Sequence, residues 1–295
     1  MAVTAAQVKE LREKTGAGML DCKNALVATD GDMEKAIDWL REKGIAKSIK
    51  KASRIAAEGL SKILIDGDKA VIVEINTETD FAAKNEQFLK LLDDVAAKLL
   101  EAEPADLETA LELPTENGTL KDEVVNATAT IGEKIDLRRF EVVKKATDEV
   151  FGDYTHMGGA KTALAVLKGG TPELAHYIAM QVASMTPTYV SSADMPQDVV
   201  DRETKVQTEI VKNDEKFAGK PEQVIQGAIQ GKVSKALKEM CLVDQEYFMD
   251  SSKKVSQVLK ENNADVVRFV RYAVGEGIEK REDNFAEEVA KQMNM

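Results

Sequence analysis

The sequence predicts an α+β fold in which a small strand-strand-helix-helix-strand unit occurs twice behind an N-terminal bundle of three helices. Three observations carry this expectation. Runs rich in β-branched residues come in pairs, 60–65 with 70–76 and 150–154 with 162–167. Each pair precedes a segment whose apolar residues recur at three- and four-residue steps, the period of a helix packed on one face. A further strand-like run closes each copy, at 135–143 and 265–274, whereas residues 4–44 show only helical periodicity and helix caps.

In chain order, Thr4-Ala5-Ala6-Gln7 is a capping-box start, and Ala5, Val8 and Leu11 place an apolar stripe on a helix that stops at Thr15-Gly16. A glycine-bracketed turn, Gly16-Ala17-Gly18-Met19-Leu20, leads into a second helix expected from near Asp21 to the Asp30-Gly31 break. Asp32 caps a third, with Met33, Ala36, Ile37 and Leu40 on one face and Gly44 as its expected stop. Three short helices make a bundle that is marginal alone and suited to docking. Residues 45–57, with Lys47, Lys50, Lys51 and Arg54, read as a helix-prone basic connector, a tether with reach.

The first copy begins with strands 60–65 and 70–76 joined through Asp66-Gly67-Asp68, which is hairpin chemistry. A helix from Asn85 follows with Phe88, Leu92, Val95 and Leu99 on one face, then a poorly patterned connection over 104–114, a helix over 119–131 and a strand alternating through Leu137 and Phe140. In the second copy the two strands end at Gly169-Gly170, and Thr171-Pro172 supplies a cap and N1 proline for a helix through Leu174, Ile178, Val182 and Met185. Its remaining helix and strand are postponed. Ser252 is expected to cap a helix through Val255, Val258 and Leu259, ahead of a strand rich in valine and aromatics. The interruption is polar and helical: Val199, Val206 and Ile210 mark one arm, Phe217-Ala218-Gly219-Lys220-Pro221 breaks it, and Ile225, Ile229, Val233 and Leu237 mark the return. This is a protruding antiparallel helical hairpin whose seam is sparse, weakened further by Gly227 and Gly231, and better stabilised against a partner or a second copy. Gly275-Glu276-Gly277-Ile278 then turns the chain into a C-terminal helix over 284–293. The expected domains are a docking head with its connector (1–55), a first core subdomain (56–145), a second (146–195 with 241–277), the hairpin (196–240) and a C-terminal helical module (278–295).

At 295 residues and 43% hydrophobic composition the chain can bury more than one core. No stretch approaches the ~18 uninterrupted apolar residues of a membrane span, and Lys9, Glu10, Arg12, Glu13 and Lys14 stand where a signal peptide needs an apolar run. The expectation is a soluble, cytoplasmic protein. Cys22 and Cys241 lie far apart in unrelated contexts, against a disulfide framework and a zinc site. A formal net charge of −12 argues against nucleic acid as primary partner, because phosphate binding needs a basic surface. Residues 1–55 nevertheless hold 11 Lys and Arg against 8 Asp and Glu, so a slightly basic head sits on a strongly acidic body.

The chain is organised around Asn76-Thr77-Glu78-Thr79-Asp80-Phe81-Ala82-Ala83-Lys84-Asn85, which must turn between a strand and a helix. Thr79 and Asp80 are both capable of capping a one-turn helix, leaving Phe81 at its tip beside two small alanines. From the residues alone, Phe81 either folds back into its own core or inserts into a partner. Reactive constellations are missing. His156 and His176 are the only histidines and no spacing pairs either with a cysteine. The segment Met157-Gly158-Gly159-Ala160-Lys161-Thr162 is similar to a phosphate loop, but no glycine directly precedes Lys161 and a strand follows where a helix N-terminus must bind. Gly16-Ala17-Gly18 lacks a preceding strand. The reading is a non-enzymatic binding protein with no cofactor and no metal ligands of its own.

Several stretches together resemble the bacterial translation elongation factor Ts family, guanine-nucleotide exchange factors for elongation factor Tu. They are Val8-Lys9-Glu10-Leu11-Arg12, Thr15-Gly16-Ala17-Gly18-Met19-Leu20-Asp21-Cys22-Lys23, Thr79-Asp80-Phe81-Ala82-Ala83-Lys84-Asn85, Ile131-Gly132-Glu133 with Arg138-Arg139, and Val274-Gly275-Glu276-Gly277-Ile278-Glu279-Lys280. The resemblance implies a ubiquitin-associated-like head, a duplicated core and a protruding hairpin. It implies further that Thr79, Asp80, Phe81 and Ala82 intrude beside the Mg²⁺ site of the GTPase, and that Arg12, Met19, Leu20 and Lys23 of the head grip its nucleotide-binding domain. Leu20 stands where many relatives carry a second methionine. Ile131, His156, Phe248 and Met249 match further contact positions. Read without the resemblance, Met19 and Leu20 are bundle core, Arg12 and Lys23 solvated charge, and His156 a loop residue.

Two other classes remain open to the sequence. A ubiquitin-type adaptor would read its partner through the head, leaving the Phe81 corner idle. A ribosome-associated protein would bind through the basic connector with steep salt dependence. A thiol enzyme would need Cys22 or Cys241. Cys22→Ala and Cys241→Ala are each expected to retain full nucleotide-exchange activity, and loss of that activity in a folded variant would bring thiol chemistry back.

Overall fold

Helix caps and apolar spacing dictate the head directly. In the computed structural model, which describes residues 3–279, α1 (Ala5–Thr15) starts on a complete capping box between Thr4 and Gln7. α2 (Met19–Ala28) begins ahead of Asp21, with Gly18 as its N-cap. α3 (Met33–Lys51) is capped by the Asp32 carboxylate on the Lys35 N–H. Val8, Leu11, Cys22, Ala25, Leu26 and Ala36 form a small buried core between the three.

β1 (Glu58–Asp66) and β2 (Lys69–Thr77) pair antiparallel, from Glu58 opposite Thr77 to Asp66 opposite Lys69. After the single turn α4 (Asp80–Ala83) and the long α5 (Glu86–Ala102), the connection over 104–114 holds α6 (Leu107–Leu111) and leads to a two-stranded hairpin of β3 (Pro114–Thr115) and β4 (Gly118–Thr119). α7 (Leu120–Ile131) and β5 (Asp136–Lys144) complete the copy, and the sheet runs β1-β2-β5. Val71, Val73 and Ile75 of β2 face Phe88, Leu92, Val95 and Leu99 of α5 and Leu120 and Ala127 of α7. Alternation along the strand and helical steps along α5 thus meet in one apolar layer.

Two expectations for α3 fail. Gly44 does not end it; it is buried where α3 crosses α7, and a Cβ at this position would stand 3.3 Å from the Ala129 Cβ. The glycine permits close approach of two helices. The first half of 45–57 is helical as expected, being the end of α3, but the segment has no free reach, since Lys51 donates to the Gly132 carbonyl and Arg54 pairs with Glu78 at 3.2 Å.

The second copy repeats the connectivity. β6 (Glu149–His156) and β7 (Lys161–Gly169) pair antiparallel, with His156 opposite Lys161, and α8 (Pro172–Met185) follows under its Thr171 cap. α9 (Gln197–Lys212) and α10 (Glu222–Glu239) form the inserted hairpin. Its seam is thin: Val211 and Ile229 are buried, while Val206, Ile210 and Val224 are exposed. The stem is clasped by backbone hydrogen bonds, from Thr188 and Tyr189 N–H to the Met240 carbonyl and from Leu242 N–H to the Tyr189 carbonyl. A short hairpin of β8 (Glu246–Tyr247) and β9 (Asp250–Lys254) precedes α11 (Val255–Glu261) and β10 (Ala264–Ala273). Ser252 therefore lies on β9, and Lys254, not Ser252, is the N-cap of α11. The sheet order β10-β7-β6 matches that of the first copy, with the second strand of the unit in the middle. The helix expected over 284–293 lies outside the described residues. The described chain divides into two compact units, 3–143 with 157–160 and 272–279, and 144–156 with 161–271.

Within the second unit β6 lies directly on α8 at Gly152, where a Cβ would fall on the carbonyl group of Ala175. Backbone cannot swing aside as a flexible side chain can. Gly152→Ala is expected to destabilise the protein by ~1–3 kcal/mol or more, seen as a lower urea midpoint with an unchanged slope.

Candidate functional site

β2 ends at Thr77, and the chain must reach α5 from there. In the second copy the equivalent link between β7 and α8 is Gly170 and Thr171 alone; in the first it is residues 78–85, with α4 inside. The corner is what the first copy adds to the shared plan. Thr79 is extended (φ −128°, ψ 156°) and its hydroxyl accepts from the Ala82 N–H at 3.2 Å, so it is the N-cap of α4. A single turn of helix does not hold itself, because nucleation fixes several dihedrals for one hydrogen bond.

Glu133, in the turn after α7, supplies what the turn lacks. Its Oε1 accepts from the Thr79 hydroxyl at 2.7 Å, and its Oε2 accepts from the Thr79 N–H at 2.9 Å and the Thr77 hydroxyl at 3.0 Å. Glu78 crosses the other way, accepting from the Lys134 N–H at 2.6 Å and from Arg54 at 3.2 Å. Ala82 and Ala83 are buried beneath the corner, and Phe81 is 81% exposed, with Lys84 Nζ 5.9 Å from its ring centroid. Of the two readings left open by the residues, the ring takes the outward one. Asp80 is not a second cap. It is the first helical residue, and its carboxylate lies 2.6 Å from Lys84 Nζ, whose hydrogen bond holds the carboxyl below its ordinary value.

Ile131, at the end of α7, sits next to Gly132 on the turn that grips the corner, half-buried against the first core. In the head, Cys22, Ala25 and Leu26 take the inward face of α2, which leaves Met19 51% and Leu20 70% exposed at its first turn, with Lys23 exposed one turn on. These two apolar residues are thus not bundle core. Arg12 is exposed on α1, and its carbonyl accepts the Gly16 N–H that closes the helix.

In the second unit His156 is exposed at the end of β6, its Nδ1 3.0 Å from the Tyr154 hydroxyl. Phe248 and Met249 are the two residues between β8 and β9. Phe248 is half-buried on the second core, edge-on to Tyr247 at 5.6 Å, while Met249 is 56% exposed. The buried Gln181 fixes this loop, accepting from the Phe248 N–H at 2.8 Å and donating to the Glu246 carbonyl at 3.0 Å.

Cys22 and Cys241 are buried, and burial pushes both thiols above their ordinary value, away from the reactive thiolate. Among the described residues no group of three or more His, Cys, Asp or Glu side chains is arranged to hold a metal ion, and no helix is long and apolar enough to cross a membrane. The arrangement offers outward apolar side chains on anchored backbone, which is the chemistry of recognition.

Sequence reasoning missed Glu133, Glu78 and Gln181 as positioning groups. Glu133 was within reach of it, standing in the Ile131-Gly132-Glu133 motif beside an expected contact residue; Gln181, a polar residue on an apolar helix face, was the only signal for the third. A family model described as elongation factor TS matches residues 78–276, two thirds of the chain. The match opens at Glu78, at the corner itself, and Arg12, Met19, Leu20 and Lys23 precede it.

The Asp80 carboxyl is expected to titrate below 3.8, with Lys84→Ala moving its midpoint back up, as followed by carboxyl-carbon NMR. Because the folded value is the lower one, the pair contributes above the unfolded value and is lost as pH falls through the folded one. A midpoint insensitive to Lys84→Ala would mean that the pair does not form in solution.

Proposed function

The chain belongs to the elongation factor Ts family, and from that premise we propose that it binds elongation factor Tu in its GDP form and promotes GDP release by stabilising the nucleotide-free state. The observation that carries this reading is Phe81: a large aromatic ring almost wholly in solvent, on a corner whose backbone is tied down on both sides. Burying such a ring contributes ~1.5–3 kcal/mol, and a side chain already held in place loses little further freedom on binding.

An exchange factor makes and breaks no covalent bond. It binds the empty GTPase more tightly than the loaded one, and by reciprocity GDP weakens it by the same factor by which it weakens GDP. Thr79, Asp80, Phe81 and Ala82 form the element proposed to intrude beside the partner's Mg²⁺. Phe81 enters an apolar pocket that opens when the switch region moves, and the Asp80 carboxylate disturbs the water shell on which a Mg²⁺ ion depends. The metal is the partner's, displaced rather than held. Arg12, Met19, Leu20 and Lys23 dock the head on the nucleotide-binding domain, while Ile131, His156, Phe248 and Met249 extend the contact over the body. Their outward placement supports this assignment for Met19, Leu20 and Met249. The setting is the cytoplasm, where the discharged GTPase is reloaded with GTP during protein synthesis. The thin seam of the α9–α10 hairpin favours contact with a partner or with a second copy.

The test is release of fluorescent GDP from elongation factor Tu, with this protein substoichiometric. Acceleration with turnover is expected. Phe81→Ala is expected to slow release by about tenfold or more, the loss of ~1.4 kcal/mol or more at the transition state, with an unchanged thermal melt. No acceleration by the wild-type chain on active Tu would sink the exchange reading, and a normal rate in Phe81→Ala would remove Phe81 from it.

A further inference from the structure

We infer that Glu133 is the positioning residue of the exchange reaction: it sets the Phe81 corner in its working orientation without itself belonging to the wedge. The inference rests on the exchange reading above and adds a residue to it.

Glu133 makes three hydrogen bonds to the corner and none is to Phe81. Two of them converge on Thr79, taking both its N–H and its hydroxyl proton. A threonine cap must present a lone pair to the helix N–H, yet its hydroxyl is free to rotate unless something takes the proton. Donation to Glu133 fixes that rotation and leaves a lone pair for the Ala82 N–H, 3.2 Å away. The third bond, from Thr77, ties the same carboxylate to the last residue of β2. One side chain therefore refers the turn that carries Phe81 to the end of a buried strand.

The turn that bears Glu133 is itself held. Lys51, the last residue of α3, donates to the Gly132 carbonyl. The Lys134 N–H donates to Glu78 and its Nζ to the Arg54 carbonyl at 3.2 Å. Glu133 is thus a fixed reference, and a carboxylate is the one side chain that offers acceptors to all three donors and no donor of its own. Removing it leaves four-residue α4 with its cap free to rotate, so Phe81 samples orientations that the partner's pocket rejects. Misplacement of this kind lowers the rate of the step it serves more than it lowers affinity supplied elsewhere.

Glu133→Ala is tested in two arms. In the protein alone, amide hydrogen exchange at Thr79 and Ala82 is expected to speed up by about tenfold or more, while amides in the middle of α5 exchange as in the wild type and the melting temperature falls by only about a few degrees, the loss of the Thr77 partner. In GDP release from elongation factor Tu, the saturating rate is expected to fall by about tenfold while the half-saturating concentration moves less than about twofold. Glu133→Gln, which keeps one acceptor oxygen, is expected to lie between the two. Unchanged exchange at Thr79 and Ala82 would overturn the inference whatever the partner assay shows. A wild-type saturating rate in Glu133→Ala, or a loss confined to half-saturation, would overturn it while leaving the exchange reading intact. A wild-type chain that accelerates nothing would overturn both, and that failure shows in the wild-type control alone.

Discussion

A carboxylate with no exposed surface stands in the middle of β2, the central strand of the first sheet, and much of the first unit is arranged to neutralise it. Glu74 Oε1 accepts from Arg138 and from the Gly275 N–H, each at 2.9 Å, and Oε2 accepts from Arg139 at 2.6 Å. Arg139 stacks at 4.2 Å on Tyr272, whose hydroxyl burial, followed by Glu141, pushes up to about 12, and it also donates to the Ala273 carbonyl. A buried carboxylate stripped of its partners is strongly destabilising, on the order of 3–5 kcal/mol. Its ligands come from β5 and from the segment that leaves β10, so parts of the chain some two hundred residues apart must assemble around one residue of β2. The order of β2 is then passed to the corner, since the same strand ends at Thr77, where Glu133 takes hold.

The corner reverses the usual economy of a protein surface. Apolar groups are normally withdrawn and the polar backbone tied up beneath them; here the backbone on either side is tied down and the ring is left outside. Thr77, Glu78 and Thr79 all have partners, Ala82 and Ala83 fill the space below, and Phe81 gains only a lysine near its face. On the proposed exchange reading, such rigidity matters because the work is differential binding. Under that proposal, a ring that collapsed into its own core when alone would have to be pulled out at the moment of use, which would weaken a preference for the empty GTPase.

Much of this was legible in the sequence because it follows from short-range rules. The duplicated unit showed in paired β-branched runs with helical periodicity behind them, and Thr4, Asp32, Thr79, Asn85 and Thr171 acted as the caps their chemistry suggests. The errors fall where a distant neighbour overrides a local preference. Gly44 has the look of a stop, but a helix continues through it because α7 needs the close approach, and the basic residues after it are held by partners far away in the sequence. Ser252 could cap a helix, yet pairing with β8 draws its segment into a strand. The site divides in the same way. The Thr79 cap was readable while the direction of the Phe81 ring was left open, and Glu133, which holds the cap, and Gln181, which holds the Phe248 loop, act across fifty or more positions and leave no periodic trace.

The clasp at the base of the α9–α10 hairpin isolates the arms from the sheet mechanically. Tyr189 and Cys241 meet as a backbone bridge, so the chain leaves the second copy and returns to it at nearly one point. An excursion that starts and ends at the same place imposes no geometry on its host. The arms could be longer or shorter with the strand order β10-β7-β6 unchanged, because the sheet's own pairing does not pass through them. A change in the length of the hairpin therefore asks nothing of the strands that carry it, whose pairing is closed beneath the clasp.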